Sequence, residues 1–196
     1  MSDEWGNLID GDQIIAAIAS RWKNKRMLKG GVVGTLMSNY GIEKFFKSEK
    51  IKFIRANVGD RYVKEKMQKN NYNLGGEQSG HIIMSDFSTT GDGLVAALQF
   101  MAAMQRNQRS ASELLNVYDL HPQLLKNVQV SGDINPLTDS RIIKLIKDTE
   151  KKFGEKGRLY IRQSGTEPLI RVMGEHEDEV ALDHSINEII EQIKIL

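Results

Sequence analysis

The sequence predicts an α/β fold in two parts: a mixed, mostly parallel sheet with covering helices, then a smaller α+β domain with an antiparallel sheet and two helices. Three observations lead there. Through residues 1–118, short apolar runs alternate with stretches of 3.6-residue periodicity, the pattern of a parallel sheet covered by helices. His121-Pro122 then breaks any helix, because the residue before proline is pushed out of the helical region, and a domain boundary is expected there. Residues 119–196 carry a strand, a helix, two strands in succession and a last helix, enough for only a thin core.

Taken in order, Asp12 is the expected cap of a first helix in which Ile14, Ile15, Ile18, Ala19 and Trp22 recur at helical spacing. Gly30-Gly31 turns the chain into a buried strand, Val32 to Leu36. After Ser38-Asn39-Tyr40-Gly41, Ile42, Phe45 and Phe46 mark a second helix, and Ile51 to Ala56 a second strand ending at Val58-Gly59-Asp60. A third helix, Asp60 to Lys69, is expected to turn Tyr62, Val63 and Met67 inward. Apolar pieces at Leu74 and at Ile82 to Met84 flank the glycine-rich Gly75 to Gly80. The clearest helix runs from its cap Asp92 to Arg106, with a stripe of Leu94, Val95, Leu98, Met101, Ala102 and Gln105. Ser110 with Glu113 makes a capping box for a short helix.

In the second part Leu125, Val128 and Val130 mark a strand, and Ile142, Leu145, Ile146, Thr149 and Phe153 a helix. Arg158 to Arg162 and Leu169 to Met173 read as strands, and Val180, Ile186, Ile189, Ile190 and Ile193 as the final helix.

Charge excludes some functions. Lys plus Arg number 27 against 26 Asp plus Glu, so no global field draws nucleic acid or an anionic membrane, and any basic site is local. No apolar run approaches the roughly 20 residues that span a bilayer. The acidic start Met1-Ser2-Asp3-Glu4 is unlike a signal peptide, so a cytoplasmic protein is expected. Without cysteine there is no disulfide, thiolate metal site or cysteine nucleophile. His121, His176 and His184 share no useful spacing and are expected at the surface. Arg61, Lys64, Lys66 and Lys69, interleaved with Glu65, read as a solvated helix face.

Two segments concentrate binding chemistry. Arg162-Gln163-Ser164-Gly165-Thr166-Glu167-Pro168-Leu169-Ile170-Arg171 puts two guanidinium groups, two hydroxyls and a glycine in one turn. Arginine forks, hydroxyls and closely approaching backbone amides together suit a phosphate dianion. The plainer alternative is a polar hairpin whose arginines pair with Glu167 or with other acids. Gly75-Gly76-Glu77-Gln78-Ser79-Gly80-His81 offers a carboxylate, an amide, a hydroxyl and an imidazole on a glycine frame, groups that read sugar hydroxyls. Its plainer alternative is a hydrophilic strand connection. His81 is the one candidate for proton transfer, because imidazole titrates near neutrality, and is read first as a hydrogen-bonding ligand.

Found together and in this order, the two loops resemble the α-D-phosphohexomutase family, whose third domain carries a GExSGH-type sugar loop and whose fourth an R-x-S-G-T-E-P-x-x-R phosphate loop. Gly6 to Asp12, Val58 to Val63 and Thr90-Gly91-Asp92-Gly93 also look like family landmarks. Gln78 and the Val-Gly-Asp-Arg-Tyr-Val stretch are most similar to the phosphoglucosamine mutase branch; phosphomannomutase or phosphoglucomutase is the alternative within the family.

The resemblance implies domain three over 1–118 and domain four over 119–196. It implies a phosphorylated hexosamine substrate whose hydroxyls meet Glu77, Ser79 and His81, and whose non-reacting phosphate meets Arg162, Ser164, Gly165, Thr166 and Arg171. The family works through an enzyme phosphoserine, in a T-A-S-H-N-type loop, and Mg2+, in a D-G-D-x-D-R loop. No segment here matches either, so no catalytic residue and no metal ligand is expected in this chain, which would depend on amino-terminal domains for turnover. Asp10-Gly11-Asp12 and Gly91-Asp92-Gly93 lack the third aspartate and the arginine, and Asp12 and Asp92 read better as helix caps. Two other readings remain open: a stand-alone sugar-phosphate binding module, and an interaction domain with vestigial loops.

Overall fold

The computed structural model describes residues 1–115, 117–130, 135–164 and 167–195. The chain divides into two compact units, Met1–Leu120 and His121–Leu196. In the first, β1 (Gly31–Thr35) lies between β2 (Lys52–Ala56) and β3 (Leu74–Gly76), both parallel to it, and β4 (Ile82–Met84) joins β3 antiparallel. The order β2-β1-β3-β4 reverses direction at β1. In open α/β sheets ligands bind at such a switch point, beyond the carboxyl ends of the strands.

Strand alternation splits the core between the two faces of this sheet. Val32 packs with α1 (Gly11–Asn24), α2 (Tyr40–Ser48), α4 (Gly93–Asn107) and α5 (Ala111–Leu115) through Ile15, Trp22, Phe46, Phe100 and Leu115. Val33, one residue on, packs with Val63 and Met67 of α3 (Asp60–Asn70). Buried on both faces, the strand is continuously apolar or small, as a parallel strand should be.

Three sequence expectations change here. Asp10, not Asp12, caps α1: its carboxylate accepts from Gln13 N–H at 2.9 Å, while Asp12 is fully buried in the first turn. Tyr62 points outward, leaving Val63 and Met67 as the inner face of α3. On α4 Val95 of the expected stripe packs against the core, but the larger part of the stripe faces outward. Leu94, Leu98 and Met101 are exposed, whereas Ala96, Phe100 and Ala103 are buried. The two sets differ by two residues, about 200° of rotation, so opposite faces both carry apolar side chains. Asp92 does cap α4, accepting from the N–H groups of Leu94 and Val95, and Ser110 and Glu113 form the expected box at α5.

The second unit is an antiparallel sheet of order β5-β7-β6, formed by Gln123–Gln129, Leu169–His176 and Gly157–Gln163 respectively. α6 (Ser140–Phe153) and α7 (Glu179–Lys194) cover one face, with Ile142, Phe153, Ile170, Val172, Ile186, Ile189 and Ile193 in the core. Leu125 and Val180 are exposed instead of inward, and Leu124 packs in the place expected of Leu125. His184 is exposed, but His176 is buried, its ring 4.7 Å from that of Phe153 and its Nδ1 accepting from Asp178 N–H at 3.0 Å. His121 is largely buried as well, 3.8 Å from Glu177. Among the described residues no helix is long and apolar enough to cross a membrane.

Candidate functional site

Residues 77–81 close the β3–β4 hairpin at the carboxyl end of β3. Glu77 N–H donates to His81 O at 3.0 Å and Gly80 N–H to Glu77 O at 2.9 Å. Gly80 takes φ +102°, a backbone state side chains disfavour, so glycine is required at the tip. The sequence reading places Gly75 and Gly76 in the loop's flexible glycine frame, but they are buried strand residues. A Cβ on Gly75 would come within 2.8 Å of Met67 Sδ and 2.9 Å of Val33 O.

The turn is anchored from two directions. Gly11 N–H donates to Gln78 O at 2.8 Å and Gln78 Nε2 to Asp10 Oδ2 at 3.3 Å, so the start of α1 supports it from below. Glu77 Oε2 accepts from Gly59 N–H at 2.9 Å. Since Gly59 follows β2, this carboxylate reaches across the end of β1, the switch point of the sheet. Ser79 and His81 are both exposed, with Ser79 Oγ 3.3 Å from His81 Nδ1. Hydroxyl and imidazole thus stand together in the turn that also carries Glu77, at the carboxyl end of the strands where an α/β unit takes ligands.

In the second unit the β6–β7 hairpin makes Arg162 and Arg171 direct cross-strand partners, with Asn127 of β5 opposite Arg171 on its other side. Paired residues share a face, so the two arginines project from adjacent positions on one side of the sheet, and like charges in that position destabilise a sheet. Arg171 Nε is buried and donates to nothing among the described residues, while Nη2 lies 3.4 Å from Glu167 Oε2. That ion pair is exposed and long, a weak restraint. Ser164 N–H donates to Leu169 O at 2.8 Å, holding the start of the turn. Gly165 and Thr166 lie outside the described residues.

Both units match known families. Residues 10–121 match the phosphoglucomutase/phosphomannomutase alpha/beta/alpha domain III, and residues 125–192 the C-terminal domain of the same family. The chain belongs to the α-D-phosphohexomutase family. Its phosphohexomutase relatives include the phosphoglucosamine mutase of Pelagibacter ubique, 56% identical over 99% of this chain and 43% of that protein. That of Rhizobium leguminosarum is 51% identical over 96% of this chain and 42% of that protein. The chain therefore spans about two fifths of the length of these relatives. In fold it is similar to the crystal structure of Aspergillus fumigatus N-acetylphosphoglucosamine mutase in complex with GlcNAc-6P and magnesium. That match has a TM-score of 0.78 at 20% identity, over 97% of this chain and 48% of the other.

Magnesium does not fit the residues described. Asp10 is occupied with Gln13 and Gln78, Asp12 is sealed in the interior, and Asp92 caps α4. No group of three His, Asp or Glu among the described residues is placed to hold a metal. Sequence reasoning missed Asp10, Gly11 and Gly59 as supports of the Glu77 turn. Gly59 takes φ +121°, which other residues disfavour, but the sequence shows only a glycine after a strand, with nothing to link it to Glu77.

Proposed function

We propose that this phosphohexomutase chain is the substrate-reading part of an enzyme that interconverts glucosamine 6-phosphate and glucosamine 1-phosphate through a bisphosphorylated sugar. In this reading the second unit holds the non-reacting phosphate through Arg162, Ser164, Gly165, Thr166 and Arg171. The first unit reads hydroxyls through Glu77, Ser79 and His81. The observation that carries the proposal is the Arg162–Arg171 cross-strand pair, with a buried, unused Nε on Arg171. A dianion between two facing guanidinium groups turns their repulsion into attraction and satisfies that donor. The phosphoglucosamine mutase relatives support the choice of sugar.

The chemistry these residues supply is binding and orientation. Charge-assisted hydrogen bonds fix one end of the substrate, so that its other oxygen meets the reacting group in one geometry. Phosphoserine and magnesium chemistry belong to residues outside this set, and the chain by itself is expected not to turn over. Alternating ends of a bisphosphate need a site that accepts either phosphate, and a guanidinium pair recognises the group without reading the ring attached to it.

Calorimetric titration with glucosamine 6-phosphate, glucose 6-phosphate and mannose 6-phosphate tests this. The expected result is binding of all three with the glucosamine compound preferred, and loss of that preference in Glu77→Gln. Equal affinities would leave only a generic sugar-phosphate module, and no binding would contradict the reading.

A further inference from the structure

Asp12 takes no part in the proposed contacts, yet it is the most deeply enclosed carboxylate near them. It is fully buried, Oδ2 accepts from Asn39 N–H at 2.8 Å, and Oδ1 is buried with no hydrogen-bond partner. Asn39 belongs to the turn that follows β1, which is itself tightly tied. Thr35 N–H donates to Ser38 Oγ at 3.0 Å, and Arg55 Nη1 donates to Thr35 O and Ser38 O at 2.8 and 2.7 Å. Arg55 is fixed in turn by Glu43 of α2, which accepts from both Nε and Nη2. Asp12 is thus the link from this network to α1. Its neighbour Gly11 is the residue that hydrogen-bonds Gln78 in the Glu77–His81 turn. The two turns stand at the carboxyl ends of β1 and β3, which are adjacent strands.

We infer that Asp12 is a positioning residue: its buried carboxylate clamps the Ser38–Asn39 turn to the first turn of α1 and so sets the placement of that turn relative to Glu77–His81, loosening when it takes up a proton. The sugar-site part of this inference rests on the function proposed above. A charged acceptor holds Asn39 N–H more strongly than a neutral acid does, and the proton would land on an oxygen that now has no partner. Burial drives this carboxyl up from its ordinary 3.8 to about 6, with Asp10 adding to the rise, while Asn39 N–H, the Ser38 hydroxyl and Arg55 oppose it. The ionisable neighbours are Asp10 from the cap of α1, Arg55 from β2 and, behind it, Glu43 from α2; β1 and β3 contribute none.

The test is a pH series of amide NMR spectra on the chain, wild type and Asp12→Asn, followed at Asn39 and Gly80. The expected result is that both amides shift together in the wild type with a midpoint near the value for Asp12, and that this component disappears from both in the variant. Asparagine keeps an oxygen for Asn39 N–H, so loss of folding is not the expected cause. Whatever His81 adds to the Gly80 signal is common to both proteins. A flat Asn39 in the wild type, or a Gly80 signal indifferent to the substitution, overturns the clamp. The wild-type series stands without the variant. Glucosamine 6-phosphate titrated into the same samples separates the two claims. Coupled amides without binding overturn the sugar reading and support the clamp; binding with uncoupled amides does the reverse.

Discussion

Two arginines at paired positions of β6 and β7 place like charges side by side on one face, an arrangement that costs a sheet stability and so predicts how substitutions behave. Arg162→Gln removes the repulsion, so stability in urea stays level or rises by about 0.2–1 kcal/mol, while affinity for a phosphorylated sugar falls. A fold-supporting arginine would give the opposite sign. At Asp12 the sign follows from burial. The folded-state carboxyl is raised to about 6, so the folded state binds the proton more tightly than the unfolded chain does. Its contribution is therefore fully present below the ordinary value of 3.8 and is lost as pH rises through about 6. A rise of roughly two units corresponds to about 3 kcal/mol. Asp12→Asn should accordingly gain stability relative to wild type between pH 4 and pH 8, by up to about that amount. A constant difference across that range would contradict the burial argument. Asp12 was legible as a polar residue at a helix start, but a cap and a buried first-turn carboxylate differ by two positions, a difference only the packing of Asn39 decides.

At the scale of elements, the support of the Glu77 turn by α1 depends on an uncluttered backbone contact. A Cβ at Gly11 would overlap Glu77 O and crowd Gly80 N, so Gly11→Ala must push the helix or the turn away. The expected cost is about 1–3 kcal/mol, with weaker sugar-phosphate binding than in wild type. A variant that is destabilised but binds normally would show that α1 does not position the turn. Elements with strong local signals were readable: the caps at Asp92 and Ser110, the turn at Asn39 and the strands around β1. The facing of α4 was not. Leu94, Leu98 and Met101 outweigh Ala96, Phe100 and Ala103 in apolar size, yet small side chains are what let a helix approach a sheet closely. Size alone therefore chose the wrong face. Gly75 and Gly76 misled for the same reason, since tight packing and loop flexibility both call for glycine.

Across the whole molecule, family membership is carried by both units, each with its own sheet, core and polar turn. The two motifs were legible because each compresses several chemical groups into a few residues. What holds them was not, because Gly59 and Gly11 act on Glu77 and Gln78 from far along the chain. We propose that the Arg162–Arg171 pair exists to hold a phosphate. The most direct test is calorimetric titration of glucosamine 6-phosphate into wild type and Arg171→Ala, with folding checked by circular dichroism. Binding is expected to weaken by about 1.5–3 kcal/mol, roughly ten- to a hundredfold, in a variant that remains folded. Undiminished affinity in folded Arg171→Ala would contradict it, leaving the pair as an ordinary polar hairpin.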